Sequence, residues 1–133
     1  MTIWLLINIA IGAVLGALSR YYLTLLWLRW RGSAFPYGTL FVNLTGAFII
    51  GVASFLITRY DLYDLSVRVS NVVMVGFLGS YTTFSSYILD TANLLRRRRY
   101  AIALGYWFGS VLLGLICAEG GLLAGQWLAL RLL

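Results

Sequence analysis

The stretch Gly76–Asp90, GFLGSYTTFSSYILD, decides how this chain folds. It lies in an apolar run with no charge between Arg68 and Asp90, yet its first twelve residues hold two glycines, three serines, two threonines and two tyrosines. A helix in hydrocarbon gains nothing from such a cluster. Irregular backbone at membrane depth must be buried in protein or line water. The expectation is a helix interrupted near residues 79–83. Gly79 can take backbone angles closed to other residues, and Ser80, Thr82 and Thr83 can bond the freed main-chain groups. Released carbonyls near Gly79 and Thr82 would point at a cation, as in ion sites built on interrupted helices. The plainer reading is a kink satisfied by neighbouring hydroxyls.

The rest of the chain supplies the setting. Of 133 residues, 62% are hydrophobic and 11% charged, and the mean hydropathy is +0.90. A bilayer span needs about 20 mostly apolar residues. Four such segments read as helices, at about 3–28, 37–58, 69–94 and 100–130, and they use nearly all of the sequence. The expected fold class is therefore an all-α membrane protein, one four-helix domain over 1–133. The first segment lacks the basic start and small-residue end of a secretory signal and is expected to remain as a helix.

Composition excludes several functions. There is no histidine, so His-based acid–base catalysis, His metal sites and HExxH chemistry are ruled out, and no enzyme is expected. The single Cys117 cannot form an internal disulfide and suits a small apolar packing role. The net charge of +6 and the run RRRRY at 96–100 invite a nucleic-acid reading. That run falls between two apolar spans, however, where basic residues mark the cytoplasmic side and touch lipid headgroups. Membrane lipid is the expected partner, and nucleic acid is not.

Polar residues inside the spans fall on shared faces. Thr39, Asn43 and Gly46 lie at i, i+4, i+7. Asn43 can bond across a helix interface or line a polar path. Arg20 can snorkel to an interface or face a water-filled vestibule. Phe84 and Tyr87 are three apart, and Tyr106 and Ser110 four apart, so each pair shares a helix face. Beside Thr83, Ser85 and Asn43, the two rings can pack or can form a narrow passage. A ring edge carries partial positive charge. Ring edges, an amide N–H and hydroxyls together can replace an anion's hydration shell without a full charge that would trap it. Gly12/Gly16, Gly105/Gly109 and Gly121/Gly125 repeat at four-residue spacing, which lets helices approach closely. The polar face of Asn43 and the broken span both need cover that four helices hardly give, so a second copy is expected.

Three segments, GALSRY (16–21), GTLFVN (38–43) and GFLGSYTTFSSY (76–87), together resemble the fluoride channel family called Fluc or CrcB. The resemblance covers almost the whole chain. It implies a small channel that lets fluoride leave a bacterial or archaeal cell passively across the plasma (inner) membrane. It also implies a dimer of two antiparallel copies that cage one structural sodium ion where their helix breaks cross. By that resemblance Gly79 and Thr82 offer backbone carbonyls to sodium. Asn43, Phe84, Tyr87, Tyr106 and Ser110 follow the fluoride path, with Thr83 and Ser85 beside it, and Arg20 sits near the vestibule.

The chain departs from the family pattern in places. Tyr87 stands where phenylalanine is usual, and Gly114 and Ala118 where hydroxyl residues can extend the polar track. Glu119 is an acid in the fourth span, expected to snorkel or face a vestibule. Six arginines (Arg29, Arg31, Arg96, Arg97, Arg98, Arg99) share one expected side, against Arg59, Arg68 and Arg131 on the other. That bias favours one orientation, with the termini outside, and keeps a heterodimer with an oppositely oriented partner open. The competing function is a small multidrug-type four-helix exporter. Drug–proton exchange there needs a carboxylate in the first span, and this chain has none.

Overall fold

A computed structural model describes residues 2–59 and 71–131. Their helices are α1 (Thr2–Arg31), α2 (Tyr37–Arg59), α3 (Asn71–Leu78), α4 (Gly79–Tyr81), α5 (Phe84–Arg96) and α6 (Tyr100–Arg131). Helices α3 to α5 together make the third of four segments long and apolar enough to cross a membrane. The first and last spans run somewhat longer than the sequence suggests. Residues 69 and 70 of the expected third span lie outside the described residues, as do 60–68 of its preceding connection and Arg68 with them.

Local chemistry sets the helix ends. Gly32, at φ +72°, closes α1 in the left-handed conformation that favours glycine, and its N–H donates to the Leu28 carbonyl at 2.9 Å. Pro36 directly precedes α2, and its carbonyl accepts from the Leu40 N–H at 3.1 Å. The Arg97 guanidinium donates to the Ser33 carbonyl at 3.2 Å, and that of Arg99 donates to the Ala34 carbonyl. The α1–α2 and α5–α6 connections therefore meet at one end of the bundle, as expected, and bring six arginines there.

Helix α1 runs beside the third span in the same direction, and α2 runs beside α6. Both crossings are built on glycine. A β-carbon on Gly12 or Gly16 would strike the main-chain oxygen of Val72 or Phe77, and one on Gly76 would strike that of Ile9. At the second crossing, Gly51 meets the Ala118 carbonyl and Gly121 the Phe48 carbonyl. The pairs Gly12/Gly16 and Gly121/Gly125 thus serve packing within the chain. Around Gly105 and Gly109 a β-carbon would meet nothing within 4 Å.

The interruption falls inside the expected window, but glycine does not make it. Gly79 stays helical. The backbone turns extended at Thr82 (φ −76°, ψ 156°) and Thr83 (φ −150°, ψ 121°), angles open to any residue. The reading that Gly79's conformational freedom breaks the helix is corrected accordingly. Ahead of the break α3 is wound as a π-helix, a wider and rarer form frequent at functional sites. The third span is the best covered of the four. That is what irregular backbone requires.

Candidate functional site

One face of α2 holds the break in shape. Thr39, Asn43 and Gly46 all turn toward the third span, as their spacing predicts. The Asn43 side chain acts as a surrogate peptide group. Its Nδ2 donates to the Thr83 carbonyl at 3.0 Å, and its Oδ1 accepts from the Thr83 N–H at 2.8 Å. Diverting that N–H takes away the helical donor that the Gly79 carbonyl, four residues earlier, would otherwise have. Gly46 leaves room for the Thr82 methyl, which a β-carbon there would strike. Thr39 Oγ1 donates to Asp90 Oδ2 at 2.6 Å.

Hydroxyls finish the break. Thr82 donates from both its N–H (3.0 Å) and its Oγ1 (2.9 Å) to the Leu78 carbonyl, closing α4. Thr83 Oγ1 accepts from the Ser86 N–H at 3.2 Å and so caps α5. The Ser85 hydroxyl lies 3.3 Å from Thr83 Oγ1. Arg20 turns inward, with Nη1 3.5 Å from the Thr82 carbonyl oxygen. Its guanidinium thus faces the break rather than an interface.

Two grooves and a row of rings result. The first groove, of about 410 Å³, runs along the break and is lined by Asn43, Gly46, Gly79, Thr82, Thr83 and Phe84. Phe84 is 73% exposed, against 6% for Tyr87. The second, of about 620 Å³, passes Tyr106 and Ser110 on α6 and opens beside Arg31 and Arg99. Between them the rings form a chain: Phe84 to Tyr87 at 5.8 Å, Tyr87 to Tyr106 at 5.4 Å, and Tyr106 to Phe35 edge-on at 5.5 Å. The Tyr87 hydroxyl donates to the Trp107 carbonyl at 2.6 Å. The Ser110 hydroxyl is buried with no hydrogen-bond partner among the described residues, and the buried Tyr106 hydroxyl lies beside Thr39. Every expected pathway residue therefore lies on the break, on the ring row or on the second groove. Glu119 stands apart, exposed on α6.

The arrangement favours a small anion. The amino end of α5 opens at the break, where its first N–H groups carry partial positive charge. The Ser110 hydroxyl and the second Asn43 amide hydrogen are further donors. Among the described residues no three His, Cys, Asp or Glu lie close enough together to hold a metal ion. A cation at the break would therefore use main-chain oxygens.

A sequence model of the family described as CrcB-like protein, Camphor Resistance (CrcB), matches residues 7–122. The chain belongs to the CrcB-like family. Among curated CrcB-like relatives, the "Fluoride-specific ion channel FluC" of Trichormus variabilis is 46% identical over 121 residues, 90% of this chain and 87% of that protein. The protein of the same name from Synechococcus sp. is 46% identical over 118 residues, 89% of each chain. That of Chlorobium chlorochromatii is 38% identical over 121 residues, 91% of this chain and 92% of its own. With four apolar helices, this CrcB-like chain is a multi-pass membrane protein.

Sequence reasoning passed over two partners in the CrcB-like site. Asp90 was read only as the end of an apolar run. As an intramembrane acid three residues beyond Tyr87, on the face that meets Thr39, it carried the usual signal of a functional position. The Trp107 carbonyl gave no signal, because main-chain acceptors are invisible in residue types.

Proposed function

We propose that the chain is a fluoride-selective channel that releases fluoride passively, working as an antiparallel pair of copies in the bacterial inner membrane. The observation that carries this reading is the Asn43 clamp on Thr83. It holds an extended stretch of backbone at mid-depth beside an exposed Phe84 ring and the positive end of α5. The names of the relatives support fluoride as the ion.

The pairing rests on depth and exposure. Gly46 faces Thr82 and lies about 14 Å of helix rise from Tyr37 and about 20 Å from Arg59, the ends of α2. The break is thus near the middle of the span, where an antiparallel copy would place its own. Two copies would then bring Gly79 and Thr82 carbonyls from both breaks toward one point. Sodium, a hard cation, suits such oxygens. The Gly79 carbonyl fits, having lost its helical donor. The Thr82 carbonyl fits with its second lone pair, since Arg20 approaches it only at 3.5 Å. When bound, the ion would supply a fixed positive charge that favours a nearby anion.

Efflux from vesicles loaded with fluoride or chloride tests the reading. Fluoride should leave and chloride should stay. Phe84→Ile should slow fluoride efflux at least about tenfold, because ring-edge contacts are lost at a desolvated ion, with the dimer still intact by size exclusion. Unchanged efflux removes Phe84 from the path. Proton-driven uptake of a cationic drug without fluoride movement would instead favour the exporter.

A further inference from the structure

We infer that Arg31 and Arg99 form an anion-collecting mouth for the groove that leads down α6 to Tyr106 and Ser110. This rests on the fluoride-channel reading and adds to it the side chains that gather the ion. Both arginines line the same groove as the two hydroxyls. Neither guanidinium extends freely. Arg99 is held by its bond to the Ala34 carbonyl, and Arg31 lies 5.5 Å over the Tyr37 ring. The two positive charges are therefore fixed at the rim rather than averaged over the surface.

The floor gives the second half of the argument. Tyr106 is only 3% exposed, with its hydroxyl beside Thr39, and the buried Ser110 hydroxyl has no partner among the described residues. A buried hydroxyl without an acceptor is unfavourable, and a small anion is a strong acceptor. Gly105 and Gly109 line the same groove, and open space stands over their α-carbons. From Arg99 to Ser110 the helix rises about 16 Å, so the groove runs from the charged end of the bundle about a third of the way along α6. Fixed charge at the mouth of a low-dielectric cleft raises the local concentration of counter-ions and speeds their entry.

Fluoride efflux from neutral phosphatidylcholine vesicles, at fluoride well below saturation, provides the test. At about 10 mM ionic strength, Arg31→Gln or Arg99→Gln should each slow efflux about twofold, and the double variant about fivefold. At about 1 M of an inert potassium salt with a bulky anion, the rates should converge, because the screening length shrinks to about 3 Å. Arg31→Lys and Arg99→Lys should stay close to wild type. Wild-type efflux itself should fall as inert salt is added, a measurement that needs no variant. A flat wild-type salt response, equal rates at low salt, or a gap that persists at high salt overturns the proposal. So does a gap confined to vesicles of anionic lipid, which would assign the arginines to headgroups. If wild type passes no fluoride under any condition, the channel reading itself fails, a result distinct from failure of the mouth alone.

Discussion

Asn43 holds most of the local geometry in one side chain. Its amide satisfies both main-chain groups of Thr83, so Asn43→Ala leaves a buried N–H and C=O unpaired. We expect a loss of about 1–2 kcal/mol in stability, read from unfolding in detergent, together with a sharp loss of fluoride efflux. Asn43→Asp keeps the acceptor but not the donor and should recover only part of both. Tyr87 poses the opposite case. Its hydroxyl is bound to the Trp107 carbonyl, so it does not add a donor to the ion's surroundings, and the ring presents its edges much as phenylalanine would. Tyr87→Phe should cost about 1 kcal/mol of stability and leave fluoride efflux within about twofold. A tenfold fall in efflux would place that hydroxyl on the ion instead.

At the scale of elements, the helices meet where glycines let main chains touch. Adjacent positions on α6 separate packing from helix propensity. A β-carbon at Gly121 would strike the Phe48 carbonyl, while one at Gly120 meets nothing within 4 Å. Gly121→Val should therefore force α2 and α6 apart and cost about 3 kcal/mol or more, seen as poor yield of folded protein. Gly120→Ala should be neutral or raise stability by about 0.5–1 kcal/mol. Equal behaviour of the two would mean that the α2–α6 crossing is looser than the structure has it. The third span follows the same logic in reverse. Its ordinary helix ends where α2 offers a better partner for the Thr83 N–H than the Gly79 carbonyl does.

For the whole molecule, the proposed pairing would cover a surface that one copy leaves open. Phe84 is 73% exposed and Gly79 stands at the surface beside it. If sodium joins two breaks, assembly should depend on it. Protein kept in N-methylglucamine buffer should lose dimer by size exclusion, and sodium should restore it more effectively than potassium, whose larger radius asks more of fixed carbonyls. Equal dimer content in all three buffers would remove the ion from the assembly. The six arginines at one end of the bundle make the balance of orientations the natural companion measurement, by labelling a single terminal tag from each side of the membrane.

Residue order alone determined the number of spans, the location of the interruption and which residues share a face. Hydropathy and the 3.6-residue period act locally and leave their mark in sequence. Thr39, Asn43 and Gly46 were legible as one stripe, and Phe84 with Tyr87 as one pair, for that reason. What the stripe grips was not legible. That Asn43 bonds Thr83, that Thr39 bonds Asp90, and that Tyr87 turns its hydroxyl to α6 depend on the relative height of helices far apart in the chain. That height is set by main-chain contact at Gly12, Gly76 and Gly121. Gly79 illustrates the difference. Its residue type suggested a flexible break, but the backbone opens three residues later, because a hydrogen bond from another helix outweighs local propensity.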